Sequence, residues 1–179
     1  KENKIFSSDI GPGNCLIDRW VRLNSKKRYD KDGQFAKAGK INKIILDQSL
    51  ENFYGNDISK KKSYDTKDFD LSFVRGLSLE DGAATLTEFT AEIFSQKKMD
   101  KKTYVCGGGR KNLFLMDRIK KKINSEIILV DDLEIDGDFI ESQAFAYIAI
   151  RSYLKLPISF PETTGVKKIS TGGIFLKTK

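Results

Sequence analysis

The run from Asp9 to Asp18, DIGPGNCLID, constrains the fold of this chain more than any other stretch. Gly11, Pro12 and Gly13 interrupt any regular element, so the chain must turn there, and its backbone can come close to a bound molecule. Ile5 and Phe6 read as the end of a strand that delivers Asp9. Leu16, Ile17, Trp20 and Leu23 recur at helical spacing behind Asn14, which stands where a capping residue belongs. The order predicted is strand, carboxylate, glycine turn and helix N-terminus, and such a terminus favours anions. The same residues also read as an ordinary capped turn, because Gly, Pro and Asn are the common turn formers.

The pattern returns further along. A strand over 103–106 runs into Gly107, Gly108 and Gly109, and a helix is predicted over 112–123. The loop lacks the spacing of a Walker motif and of the dinucleotide fingerprint. Three bare residues after a strand still let a flat group lie against the backbone, so a nucleotide site and a plain strand-to-helix connection stand side by side. Between the two loops, Ile41, Ile44, Ile45 and Phe53 suggest two short helices, and 59–70 reads as a polar loop with single aromatics Tyr64 and Phe69. Ser78 then caps a longer helix striped by Leu79, Ala83, Leu86, Thr90 and Ile93. A buried strand over 126–130, a long helix over 139–154 and a turn-rich tail ending in a strand over 174–176 complete the chain. Alternation of this kind predicts an α/β lobe with a partly parallel sheet, and ligands in the crevice at the carboxyl ends of its strands.

With 179 residues and 39% hydrophobic content the chain can bury one substantial core. The formal charge is +7, but the lysines fall in short scattered runs, and no arginine-rich helix or aromatic RNA-binding pattern accompanies them. Solvated charge is the expectation, with no nucleic-acid partner. The absence of histidine removes Ser/His and Cys/His nucleophilic schemes and histidine-ligated metals from this polypeptide. Proton transfer falls to carboxylates, lysine or tyrosine. Cys15 and Cys106 sit in apolar or glycine-rich surroundings and read as reduced, buried thiols. No apolar run is long enough to span a bilayer, and the expected location is the cytosol, without a membrane partner. Asp138 and Glu141 have the spacing of a capping box at the head of the last long helix. Glu141 also shares a face with Ala144, Phe145 and Ile148, from which a carboxylate can reach sugar hydroxyls at the border of a core. No aspartate cluster has calcium-loop spacing, and no protein metal site is assigned.

Taken together, DIGPGNCLID, YDKDGQFAKAGK, ATLTEFTA, VCGGGRKN and ESQAFAYIAIRSYLKLPISFPETTGV closely resemble the anhydro-N-acetylmuramic acid kinases, in the same order and nearly end to end. The resemblance implies a ribonuclease H-like, actin-like ATPase fold, of which 1–179 is a single C-terminal α/β lobe with a mixed, partly parallel sheet flanked by helices. It implies that the N-terminal lobe carrying the phosphate loop is absent. It also implies an ATP- and magnesium-dependent reaction that opens 1,6-anhydro-N-acetylmuramic acid with water and phosphorylates the freed 6-hydroxyl, in bacterial cell-wall recycling. In that family the aspartate before the GPGN turn is the base, here Asp9. Asn14 and Glu141 correspond to sugar-side positions, and Gly107, Gly108, Gly109 and Asn112 to the adenosine side. Magnesium is expected to be held mainly by the nucleotide's phosphates, and family members pair as homodimers.

Two positions depart from the family pattern. Ile10 replaces the usual threonine beside the proposed base, and Thr66 stands where an arginine is frequent. With the phosphate loop missing, the expectation for the chain alone is a folded lobe with little turnover. The rival expectation is a non-catalytic module that binds muropeptide sugars or a partner protein.

Overall fold

The computed structural model describes residues 5, 7–55, 63–97 and 99–176. They fall into two compact units, one within 9–137 and the other made of 5, 7 and 8 with 138–176.

The unit 9–137 is built around one helix. Ser78 accepts a hydrogen bond from the Asp81 N–H at 3.1 Å and starts α4, Leu79–Ser95, with Glu80 and Asp81 in its first turn. From Gly82 to Ala91 every residue of α4 is buried. The small side chains of Ala83, Ala84, Thr85, Thr87, Thr90 and Ala91 let neighbours approach on all sides. Those neighbours are α1, Cys15–Asn24; α2, Gln34–Ala38; α3, Lys43–Gly55; and α5, Leu113–Lys122. Leu16, Ile17 and Trp20 of α1, Leu46 and Phe53 of α3 and Leu115 and Ile119 of α5 complete the core. Leu23, expected on the apolar stripe of α1, is instead 68% exposed, and Val21 takes an inward place.

The stretch at 63–70 is also part of this core. Tyr64 and Phe69 are buried against Phe53, with ring centroids 5.5 and 5.7 Å away. Aromatics dropped from an irregular segment leave no periodicity for the sequence to reveal. The remainder of the predicted loop, 59–62, lies outside the described residues.

The sheet of this unit has two strands among the described residues, β1, Lys102–Val105, and β2, Glu126–Leu129. They pair in parallel, Lys102 opposite Glu126 and Val105 opposite Leu129. Parallel neighbours need a crossover, and α5 supplies it. The architecture is thus α/β, with helices flanking a small parallel sheet. Among the described residues, the antiparallel contribution expected of a mixed sheet is confined to an isolated bridge between Ser159 and Ser170 in the other unit. No strand forms at 174–176, and Ile5 is exposed coil, while Phe6 lies outside the described residues.

The unit containing 138–176 carries α6, Ile140–Tyr153, and a short α7, Pro161–Thr164. None of the α6 residues is buried. The tail folds back onto its C-terminal end. The Arg151 Nε–H donates to the Pro157 carbonyl at 2.8 Å, Ser152 Oγ donates to the Gly172 carbonyl, and Tyr153 meets the Phe175 ring. Among the described residues no helix is long and apolar enough to cross a membrane.

Candidate functional site

Both glycine turns belong to the unit 9–137, and they meet. A Cβ placed on Gly109 would lie 3.7 Å from Asn14 Oδ1, so the second loop passes beside the last residue of the GPGN turn. Asn14 occupies the N-cap position of α1, yet its side chain makes no capping bond. Its Nδ2 donates to Asp18 Oδ2 at 2.6 Å instead, one helical turn along. Gly13 is in the left-handed region at φ +55°, which a side chain would strain.

A cleft of ≈540 Å³ opens beside this meeting point. Asn14, Asp18 and Arg22 line it from α1, Arg28 and Lys31 from the connection that follows, and Gly108, Lys111 and Asn112 from the second loop. Burial pushes the Asp18 and Asp30 carboxyls above the usual carboxylate range. Asp30, read from sequence only as part of a polar stretch, is a buried cap. It accepts from the Phe35 and Ala36 N–H groups at 2.8 and 3.0 Å and so fixes the start of α2. Its signal was the placement of an acceptor shortly before a helix.

Asn112 caps α5 through Oδ1, which accepts from the Leu115 N–H at 3.0 Å. Its Nδ2 is buried and has no hydrogen-bond partner in the structure. A second, mainly apolar cavity of ≈460 Å³, lined by Gly108 and Gly109 together with residues of the sheet, α4 and α5, adjoins the same loop. Thr90 Oγ1 is a second buried polar atom without a partner, and Thr90 lines that cavity.

Asp9 is exposed and tied to the segment at 63–64. Its N–H donates to Ser63 Oγ at 2.8 Å, the Ser63 hydroxyl donates to Asp9 Oδ2 at 2.9 Å, and the Tyr64 N–H donates to the Asp9 carbonyl at 2.9 Å. Ser63 carries no motif of its own, and its role was invisible in the sequence. Thr66 opens a short 3-10 turn capped by Asp65 and is exposed.

Glu141 lies in the first turn of α6, in the other unit, and is exposed. The capping box expected from Asp138 and Glu141 does not form, because the N-cap position is Phe139 and no side chain caps the helix. Its partners Ala144, Phe145 and Ile148 border no core, since nothing on α6 is buried. Cys106, expected to be buried, is exposed at the end of β1, and Cys15 is half-buried, with its thiol pushed up by burial and by Asp18. A raised thiol is a poor nucleophile at neutral pH.

The fold and these loops define an α/β lobe with a polar cleft where two glycine turns meet at helix N-termini. The model of the family "Anhydro-N-acetylmuramic acid kinase" matches residues 1–177, and the chain belongs to that family. It is 53% identical to an anhydro-N-acetylmuramic acid kinase of Pelagibacter ubique, over 99% of this chain and 50% of the relative. Kinases of the same name from Zymomonas mobilis and Caulobacter vibrioides are 37% and 40% identical, over 96% and 94% of this chain and 48% and 47% of theirs. The chain spans about half the length of the curated relatives it matches.

Proposed function

We propose that residues 1–179 form the C-terminal lobe, ribonuclease H-like in fold, of an ATP-dependent sugar kinase. The kinase opens 1,6-anhydro-N-acetylmuramic acid with water and phosphorylates it to N-acetylmuramic acid 6-phosphate. The observation that carries this reading is the meeting of the two glycine loops at Asn14 and Gly109 beside a cleft with four cationic side chains. Arg22, Arg28, Lys31 and Lys111 offer partners for phosphate oxygens in a lining that also holds Asp18, Asp30 and Asp32. The exposed backbone of Gly108, with nothing within 4 Å of where a Cβ would stand, leaves room for a ligand, and the buried Asn112 Nδ2 is a donor with no partner in the protein. These residues fit a nucleotide.

In this reading Gly107, Gly108, Gly109 and Asn112 hold the nucleotide, while Asn14 and Glu141 serve the sugar side. Asp9 is the base. Its carboxylate, oriented by the Ser63 hydroxyl, takes a proton from the water that attacks the anomeric carbon. The oxygen released from the anhydro bridge then accepts the phosphoryl group. Magnesium, carried by the phosphates, would neutralise the charge that moves in this transfer.

The test joins this chain to the N-terminal half of the Pelagibacter ubique relative and supplies the anhydro sugar, ATP, magnesium and isotopically labelled water. Mass spectrometry should find a 6-phosphorylated sugar with solvent oxygen at the anomeric carbon, lost in Asp9→Asn. A folded chimera that binds ATP and yields no product would favour a non-catalytic sugar-binding module instead.

A further inference from the structure

Arg110, immediately after the triple glycine, is 6% exposed. Its guanidinium makes a two-pronged pair with Asp131, Nε to Oδ2 at 2.6 Å and Nη2 to Oδ1 at 2.8 Å, and Nη1 turns back to donate to the Gly107 carbonyl at 3.0 Å. The Gly107 N–H donates in turn to the Gly137 carbonyl at 3.0 Å, and the Gly137 N–H approaches Asp131 Oδ1 at 3.4 Å. These bonds close a ring. It links the chain leaving β1 to the chain leaving β2, at the carboxyl ends of two parallel strands. Asp136, with an oxygen 3.9 Å from Arg110 Nη2, adds charge to the same side.

Two glycines make the ring possible. Gly107 sits at φ +78° and ψ 176°, where any side chain would be strained. A Cβ on Gly137 would overlap Arg110 Nε, so only glycine lets the guanidinium lie flat against that backbone. A paired guanidinium fork fixes direction as well as distance. Arg110 does not line the polar cleft, whereas Gly108, Lys111 and Asn112 do.

We propose that Arg110, Asp131 and Gly137 are positioning residues that hold Gly107, Gly108 and Gly109 in the geometry that receives the nucleotide. The role rests on the nucleotide reading of that loop. Loss of the fork should weaken ATP binding about tenfold or more.

The experiment uses the chain joined to the N-terminal half of its Pelagibacter ubique relative, in three forms besides the wild type: Asp131→Asn, Gly137→Ala and, as a control, Glu88→Gln, which weakens a different buried ion pair. ATP affinity is measured by calorimetry and amide hydrogen exchange by NMR, at a temperature where all four are folded. The two ring variants should exchange faster at Gly107, Gly108 and Gly109 and bind ATP about tenfold or more weakly, while the control keeps wild-type values for both. Ring variants that bind ATP as the wild type does would overturn the positioning role and leave the nucleotide reading intact. A wild-type chain that binds no ATP would overturn the nucleotide reading, and this role with it. If Gly137→Ala fails to fold, Arg110→Lys keeps the charge, loses the fork and gives the same two outcomes.

Discussion

Helices α4 and α6 are both rich in apolar residues, yet one is buried almost throughout and the other not at all. The difference lies in side-chain size and in neighbours. Alanines and threonines let four helices close around α4, whereas α6 presents Phe145, Tyr147, Ile148, Ile150 and Tyr153 to solvent. An apolar composition states what a helix must hide, and only packing decides whether this chain hides it.

The sharpest way to break the comparison is at Glu88, on the buried helix. Its carboxylate receives Arg118 Nε at 2.5 Å and Nη2 at 2.7 Å, with Lys122 Nζ at 2.8 Å, pinning α5 to α4. Glu88→Ala removes the Arg118 fork, although Lys122 keeps Glu92 at 2.6 Å, and should cost about 3 kcal/mol in denaturant unfolding. Burial alone would raise the pKa of Glu88, but the hydrogen bonds from Arg118 and Lys122 outweigh it and hold the group below the ordinary range. The folded state therefore binds this proton less readily than the unfolded state. Glu88 contributes stability that is fully present well above pH 4.5 and is lost as pH falls through its folded value. A pH series of urea midpoints should lose part of its acid slope in Glu88→Gln.

Leu86, fully buried on the same helix, should cost about 2–5 kcal/mol when cut to alanine. Ser78→Ala removes the cap of α4, for a loss of about 1 kcal/mol read from the same midpoints. At the other extreme Phe145, 64% exposed on α6, should change stability by less than about 0.5 kcal/mol as alanine, despite the larger side chain. A Phe145→Ala loss as large as that of Leu86→Ala would show that α6 is packed as tightly as α4.

The same contrast explains what could be read from the sequence. Ser78, the α4 stripe and both glycine turns were legible because caps, periodicity and φ-tolerant residues are local signals. Asn14 was half legible. Its place at the helix start was clear, but its side chain goes to Asp18, a choice between two local partners that spacing cannot make. Tyr64 and Phe69 were hidden because an irregular segment carries them into the core, and the Arg110–Asp131 ring because its members lie in different loops. The capping box of Asp138 and Glu141 was misjudged, since Phe139 takes the cap position, and so was the core expected behind that face of α6. Long-range pairing, rather than propensity, was the missing information for Tyr64, Phe69 and the Arg110–Asp131 ring.

The central claim is that the second glycine loop, where it meets the first, is a nucleotide site, and an NMR titration with ATP and magnesium of the chain joined to the N-terminal half of its Pelagibacter ubique relative tests it most directly. The account predicts saturable amide shifts at Gly107, Gly108, Gly109 and Asn112, with the core positions of α4 unmoved. Saturation with those four amides unchanged, or no saturable shift anywhere, would contradict it.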